Sequence, residues 1–462
     1  MKFGIEMTLK QVHDHPAAAE IFKKFLPGVL EHALESPRAG GLSIKKAAEY
    51  MNGAVSDGLL TEMDSELRKL NTPENRITPG EAEQIAFFRK LDAADKAKPE
   101  KREDHQQSAV FPGQIWLDTK GERIQAHGGA VFYENGIYYW YGENKEHTDG
   151  KSGVWTWGIR VYASKDLCNW KDLGMMIPPV LDDPDSSLYP ARCIDRPHII
   201  RCPKTGNYVC WIKLSGADAS FVILEAERFL GPYTVREEFY RPNGQEIGDF
   251  DLVCDQAAGQ AYLYAEVNHD SIVCMRLSED YLKAEEEISI QYAGLRPPFT
   301  REAPALFEAD GKKYMITSGM TGYIPNQSDC AVSGDWEKPF SSVGDPHVMD
   351  GSHASFNSQI SKVFPVEGTE GLWIAMADRW VPEYLLDAEL SDIFTRAVAS
   401  RYDPERYQVT AEEQKLFDES PDLETANTGI SDYVWLPVRI VDGKAQIRWY
   451  DRWTVEELAS EN

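Results

Sequence analysis

Residues 301–319 read REAPALFEADGKKYMITSG, and this stretch decides the fold. Pro304 cannot continue a helix, so the apolar residues that follow it favour a β-strand. The pair Asp310-Gly311 is typical of a turn, and an aromatic strand around Tyr314 comes next. The stretch therefore predicts a strand, a turn and a second strand, with the acid Glu302 where the first strand begins.

The pattern of a turn glycine followed by an aromatic-rich strand occurs five times along the chain. The copies begin at Gly136 (GIYYWY), Gly206 (GNYVCW), Gly259 (GQAYLY), Gly311 (GKKYMI) and Gly371 (GLWIAM). They are 70, 53, 52 and 60 residues apart, a suitable length for one four-stranded sheet per unit. Five such units closing radially predict a mainly β fold, a five-bladed β-propeller.

A polar residue precedes each turn glycine, at the beginning of an apolar strand. These residues are His127, Asp195, Asp249, Glu302 and Gln359. The first strand of each propeller blade lines the central channel, so we expect the five side chains to converge at one end of it. Residues that are distant in sequence and meet in a pocket are what a functional site requires.

The N-terminal part of the chain has a different character. Residues 1–94 show helical periodicity and two capping boxes, Thr8 with Gln11 and Thr78 with Glu81, which predict a small all-α accessory domain. Residues 95–108 are polar and charged and predict a linker.

The propeller is expected to occupy residues 109–462. Every tryptophan lies at or beyond Trp116, in agreement with this boundary. A segment of about residues 384–430 interrupts the repeat with charged residues and helix formers, and it predicts a partly helical insertion in the last blade.

Composition limits the classes of function. A formal net charge of −27 argues against binding of nucleic acid or of an anionic membrane, because both would repel the chain. The seven cysteines are an odd set without CxxC spacing, which predicts reduced thiols. The first residues are too polar for a signal peptide and no long apolar run occurs, so a cytoplasmic protein that does not contact the membrane is expected.

Several motifs together resemble glycoside hydrolase family 43, and most of all its exo-β-1,3-galactanase branch. The resemblance covers about residues 110–455. The motifs that carry it are Ile124-Gln-Ala-His-Gly-Gly129, Tyr139-Trp-Tyr-Gly-Glu143, Val161–Trp170, Asp195-Arg-Pro197, Arg301-Glu-Ala-Pro304, Ser358-Gln359, Asp378-Arg-Trp380 and Tyr433-Val-Trp-Leu-Pro437.

The resemblance implies inverting hydrolysis of a glycosidic bond, with Glu302 as general acid. It also implies that Glu143 and Asp195 hold the substrate. Most members of the family carry a catalytic-base aspartate about where Gly128 and Gly129 stand here. This chain therefore lacks that aspartate. The galactanase branch also lacks it and is thought to use a glutamine in its place, which Gln359 matches.

Inverting hydrolysis places the acid and the base roughly 6.5–9.5 Å apart, and the acid needs a raised pKa. A neutral amide is a poor base, so Gln359 either reacts through its imidic tautomer or positions the water, and Asp249 is the rival base. His127 is interpreted as a substrate ligand, a channel hydrogen-bonding residue or the neighbour of an ion. Trp380 and Tyr323 are candidates for stacking on a sugar, as are Trp155 and Trp157.

No cofactor is expected, because the histidines show no metal-ligand spacing and no phosphate-binding loop occurs. A structural ion in the propeller channel is compatible with the sequence. The expected partners are an oligo- or polysaccharide substrate and a second copy of the chain, bound through the helical domain. The alternatives to a galactanase are an α-L-arabinofuranosidase or a β-galactofuranosidase on the same fold, a non-catalytic carbohydrate-binding propeller, and a protein-interaction propeller.

Overall fold

The structure is a computed structural model, and it describes residues 3–34, 37–51, 55–71, 77–255, 258–421 and 425–461. The chain forms two compact units. The first unit comprises Met1–Glu100 with Val180–Tyr189 and Gly216–Asp218, and the second unit comprises the rest.

The first unit is helical. Its described helices are α1 (Leu9–Asp14), α2 (Pro16–Phe25), α3 (Val29–Ala33), α4 (Pro37–Gly40), α5 (Ile44–Tyr50), α6 (Asp57–Arg68) and α7 (Pro79–Lys96). Both predicted capping boxes are present, at Thr8 and at Thr78, so each hydroxyl satisfies a backbone N–H that has no partner within its helix. Helix α7 continues two residues into the segment that was expected to be a linker.

In the residues that the structure describes, the second unit forms five antiparallel sheets. The strands of the first three sheets are β1 (His127–Glu134), β2 (Ile137–Glu143), β3 (Ile159–Ser164) and β4 (Lys171–Ile177); β5 (Ile194–Arg201), β6 (Tyr208–Leu214), β7 (Ser220–Ala226) and β8 (Thr234–Tyr240); and β9 (Ile247–Asp255), β10 (Gln260–Val267), β11 (Ser271–Leu277) and β12 (Ala284–Gln291). Those of the last two are β13 (Arg301–Ala309), β14 (Lys312–Gly319), β15 (Asp329–Ser333) and β16 (Ser341–Gly344); and β17 (Gln359–Pro365), β18 (Trp373–Arg379), β19 (Asp432–Tyr433), β20 (Leu436–Val441) and β21 (Lys444–Ile447).

The first strands of the five sheets form a closed ring. Strand β1 contacts β5, β5 contacts β9, β9 contacts β13, β13 contacts β17, and β17 contacts β1. Each sheet therefore has its first strand on the inside and its last strand outside, which confirms the five-bladed β-propeller.

The last blade is discontinuous in sequence. After β18 the chain forms α8 (Ala388–Tyr402) and α9 (Ala411–Asp418), and then it returns to the blade with β19, β20 and β21. A short helix, α10 (Val455–Ser460), follows. An aromatic cluster that includes Trp140 and Trp435, with ring centroids 4.6 Å apart, packs the last blade against the first.

The seven cysteines are free, and four of them are buried: Cys202, Cys210, Cys274 and Cys330. No helix in the described part of the chain combines the length and the apolar composition that a membrane span needs.

Candidate active site

The five polar residues predicted from the repeat all lie at the beginning of the inner strands. His127 and Gln359 open β1 and β17, Asp195 and Glu302 are second in β5 and β13, and Asp249 is third in β9. Because these strands form one ring, the five positions lie at the same end of the channel.

A register shift in the strand pairing sets the direction of these side chains. The register of every inner strand shifts at or next to the polar residue, for example between His127 and Ala130 and between Glu302 and Ala305. The residue after Glu302, Ala303, has φ 51°, a left-handed conformation that alanine rarely adopts. A bulge of this kind re-aims a side chain, and such strained backbone is concentrated at functional sites.

Glu302 is only partly exposed, and its carboxyl is kept protonated. Burial first, and then the negative charge of Asp249, raise its pKa to about 8. The neighbouring Arg301 is directed elsewhere, because its Nε donates to the Thr317 hydroxyl at 2.9 Å. At neutral pH Glu302 is therefore a proton donor, as a general acid requires.

Asp249 is held as an anion. Its carboxylate lies 2.7 Å from Lys213 Nζ and 3.2 Å from Arg196 Nε, and these cations outweigh burial and lower its pKa to about 2. A carboxylate so stabilised binds a proton weakly. The contacts of Asp249 therefore suit a residue that raises the pKa of Glu302 better than one that acts as the catalytic base.

Gln359 has a defined orientation. Trp380 Nε1 can only donate, and it lies 3.1 Å from Gln359 Oε1, so the amide nitrogen points the other way. Gln359 Nε2 donates to the Ser318 hydroxyl at 2.9 Å and to Glu302 Oε1 at 3.3 Å. Glu302 and Gln359 are therefore in contact in this structure, whereas inverting hydrolysis places the acid and its partner roughly 6.5–9.5 Å apart. Binding of a sugar between them requires the two side chains to separate.

Glu143 and Asp195 lie on either side of a buried lysine. Lys145 Nζ is 2.9 Å from Glu143 Oε2 and 4.0 Å from Asp195 Oδ1. Glu143 also accepts from the backbone N–H of Arg196 at 2.9 Å, and burial raises its pKa to about 7. Asp195 accepts from Trp155 Nε1 at 2.8 Å and from the Ser215 hydroxyl, so both carboxylates are fixed in place.

His127 is fully buried, and each of its ring nitrogens has a partner. Nδ1 lies 2.9 Å from Asp378 Oδ1, and Nε2 lies 3.1 Å from Gln125 Oε1 and 3.2 Å from the Tyr433 hydroxyl. The second oxygen of Asp378 accepts from the Gly128 N–H at 2.9 Å. His127 therefore fits the interpretation as a channel hydrogen-bonding residue, because both of its ring nitrogens already have partners.

Three of the four aromatic candidates form one wall. Tyr323 lies between Trp155, at a ring-centroid distance of 6.4 Å, and Trp380, at 5.4 Å. All three side chains are partly exposed, as a sugar-stacking surface requires. Trp157 is buried against His147, so it belongs to the core and the stacking prediction for it is wrong.

The sequence profile of glycosyl hydrolases family 43 matches residues 129–362, about half of the chain. The chain belongs to this family. Its matched region contains Glu143, Asp195, Asp249, Glu302 and Gln359.

Solved structures of family 43 proteins resemble this one. A β-1,3-galactosidase of the family is 28% identical with a TM-score of 0.60, and the match covers 76% of this chain and 64% of that protein. The exo-β-1,3-galactanase of Phanerochaete chrysosporium, with β-1,3-galactotriose, is 23% identical with a TM-score of 0.60, covering 76% and 69%. The exo-β-1,3-galactanase of Clostridium thermocellum is 24% identical with a TM-score of 0.57, covering 75% and 66%.

The two exo-β-1,3-galactanases are less than 25% identical to this chain, so their similarity shows the fold alone. This chain spans less than two thirds of the first galactosidase. No curated protein matches the chain.

Asp251 is a buried carboxylate of this family 43 chain that already has a lysine as counterion. The ammonium of Lys362 lies 2.5 Å from Asp251 Oδ1 and already balances that charge. The second oxygen, Oδ2, accepts from the Leu306 N–H at 2.7 Å. Burial lowers the pKa of the neighbouring His198 well below the usual value, and neither of its buried ring nitrogens has a hydrogen-bond partner among the described residues. A cation at Asp251 would have to displace the lysine.

Sequence reasoning predicted the second strand of each blade but, apart from Glu143, missed the polar residues near its end. Those strands place a further set of polar residues opposite or beside the predicted ones: Glu143 (predicted from the resemblance), Lys213, Glu266, Ser318 and Asp378. Each lies 16 to 19 residues after its partner in the sequence, a regular interval that could have revealed the set. The sequence does not show which of these side chains face the channel, because that depends on the bulges.

Proposed function

We propose that this protein is an inverting, exo-acting glycosidase that removes galactose from β-1,3-linked galactan or galacto-oligosaccharides. The observation that carries the proposal is the pairing of Glu302, whose pKa is raised to about 8, with the amide of Gln359. A protonated carboxyl beside a neutral amide suits the branch of family 43 without the base aspartate. The β-1,3-galactosidase with 28% identity supports the choice of sugar and linkage.

In the proposed reaction, Glu302 donates its proton to the glycosidic oxygen while a water attacks the anomeric carbon from the opposite face. Gln359 orients this water. Trp380 donates to Gln359 Oε1, which keeps that oxygen a carbonyl acceptor and disfavours the imidic tautomer, whose O–H would face another donor. The attacking water releases its proton to solvent, and Glu302 is protonated again before the next turnover.

The substrate is held by the fixed carboxylates Glu143 and Asp195, which accept hydrogen bonds from sugar hydroxyls. The wall of Trp155, Tyr323 and Trp380 offers an apolar face for the ring. The neutral sugar agrees with the net charge of −27, because a neutral ligand is not repelled.

The experiment compares wild type, Glu302→Gln and the control Glu308→Gln on β-1,3-galactobiose. Glu308 is exposed near the far end of the same strand, so it undergoes the same chemical change away from the site. Wild type and the control should release α-galactose, detected by NMR, and Glu302→Gln should lose at least about a hundredfold in kcat. Full activity of Glu302→Gln, or retained configuration, contradicts the proposal.

Two further substrates separate the alternatives. Turnover of an aryl α-L-arabinofuranoside or β-galactofuranoside without turnover of galactobiose identifies those activities instead. Galactobiose binding in calorimetry with no turnover identifies a binding module, and absence of both turnover and binding points to a protein-interaction propeller.

The cytoplasmic location and homo-oligomerisation through the helical unit are proposals that rest on the sequence. Cell fractionation tests the location, and light scattering with and without residues 1–100 tests the association.

A further inference from the structure

Glu266 is a buried carboxylate at the site end of β10 that the proposed mechanism does not use. It is 2% exposed and lies opposite the beginning of β9, beside Asp249. A side chain on Gly248 would overlap Glu266 Oε2, so this glycine makes room for the carboxylate. The acid is therefore built into the end of the channel.

Blade one contains the same arrangement. There Glu143 lies at the end of the second strand, and a side chain on Gly128 in the first strand would overlap Glu143 Oε1. In both blades a glycine of the inner strand admits a glutamate of the neighbouring strand to the ring of polar residues. Glu143 and Glu266 therefore occupy equivalent positions, two blades apart.

Among the residues that the structure describes, one oxygen of Glu266 has no hydrogen-bond partner. Oε1 is buried and unpaired, whereas Oε2 lies 3.3 Å from His269 Nδ1. An unsatisfied buried carboxylate oxygen is costly, and a hydroxyl group of a ligand would satisfy it once the side chain turns toward the channel. His269 is 71% exposed at the turn after β10, so the pair connects the channel to the surface.

The position of Glu266 relative to Glu302 decides which part of a substrate it meets. Strands β9 and β10 both contact β13, which carries Glu302, and Glu266 and Glu302 both lie at the site end of their strands, so the two acids are near each other. Gln359 contacts Glu302 from blade five, whereas Glu266 belongs to blade three on the other side. In an inverting reaction the water and the leaving group lie on opposite faces of the anomeric carbon. Gln359 is assigned to the water and Glu302 to the leaving group, so this order of blades favours the leaving-group side for Glu266.

We propose that Glu266, oriented by His269, accepts a hydrogen bond from a hydroxyl of the leaving-group sugar. This inference rests on the proposed function and assigns a specificity-determining residue to it. The enzyme then favours a sugar next to the cleaved bond, because an apolar leaving group would leave the buried oxygen unpaired.

The test measures kcat/KM on β-1,3-galactobiose and on 4-nitrophenyl β-galactopyranoside, which share the galactose and differ in the leaving group. Glu266→Ala and Glu266→Gln are compared with Glu285→Gln, an exposed position on β12 of the same blade. We expect Glu266→Ala to lower the ratio of disaccharide to aryl activity about tenfold or more, and Glu285→Gln to leave this ratio and both activities at wild-type values. An equal loss on both substrates, or an unchanged ratio, overturns the assignment and indicates a merely structural carboxylate.

Failure of the proposed function has a different result: the wild-type protein then cleaves neither galactoside. Calorimetry then compares galactobiose with galactose on Glu302→Gln and on Glu302→Gln with Glu266→Ala. Weaker binding of galactobiose alone supports the role of Glu266. Equal weakening of both sugars, or binding of neither to the parent protein, overturns it.

Discussion

Replacing Asp249 by Asn should move the pH range in which this protein is active. Asp249 raises the pKa of Glu302, and its two counterions, Lys213 and Arg196, lower it. The substitution removes the negative charge and leaves both cations without their partner. All three effects act in the same direction, so the pKa of Glu302 must fall.

The size of the shift follows from Coulomb's law. A unit charge a few ångströms away, in an effective dielectric of about 20, contributes about 3 kcal/mol, which corresponds to about two pKa units. With a pKa of about 8, roughly nine tenths of Glu302 is protonated at pH 7. After a fall of about two units roughly one tenth is protonated, so kcat/KM at pH 7 should drop about tenfold and recover near pH 5.

The assay is the pH profile of kcat/KM on galactobiose for wild type, Asp249→Asn and Asp310→Asn. Asp310 lies in the turn at the far end of the strand that carries Glu302, roughly 26 Å along the chain, where salt screens its charge. The alkaline limb should move to lower pH only in Asp249→Asn. A substrate with a 2,4-dinitrophenyl leaving group, which needs no proton, should show no such limb.

Two results would refute this reasoning. The first is an alkaline limb that stays in place in a variant whose melting temperature shows that it is folded. The second is a uniform loss at every pH, which would mean that Asp249 binds the substrate and does not control the acid.

Three further outcomes are expected. Gly128→Ala, at φ 61° and against Glu143, should destabilise the protein by about 1–3 kcal/mol in chemical denaturation and raise KM, and an unchanged KM would contradict the contact. Trp380→Phe removes the donor to Gln359 and should lower kcat about tenfold with little change in KM, so an unaltered kcat would show that the amide needs no orientation. Glu302→Gln should raise the melting temperature more at pH 8 than at pH 5. The pKa of the Glu302 carboxyl is raised to about 8 in the folded protein, so wild type loses stability as the pH rises from the usual glutamate value through about 8. Equal gains in melting temperature at both pH values would contradict the raised pKa.

The repeat and the positions of the polar residues could be predicted because they depend on local patterns. Turn glycines such as Gly136 and Gly311 are needed at positive φ, 81° and 72°, and aromatic strands follow them at regular intervals. The capping box at Thr78 is a local signal of the same kind. Such signals can be recognised in the sequence because the interacting residues are neighbours in the chain.

The prediction for His127 was incomplete for a different reason. The chain places it at the beginning of an inner strand, as expected, but Asp378 and Tyr433 enclose it from more than 250 residues away. Whether a channel residue meets solvent or is covered depends on neighbours that only ring closure supplies. The contact between Gln359 and Glu302 has the same origin, because it joins two different blades.

The sequence by itself determined the five-bladed repeat, the acid at position 302 and the residues that surround it in the ring. Only the tertiary structure decided the protonation of that acid and the partners of the others. The pKa of Glu302 depends on burial and on the charges of Asp249, Lys213, Glu266 and Arg196, which three blades bring together. Electrostatic interactions depend on distance in space and on the surrounding dielectric, and neither can be read from separation along the chain.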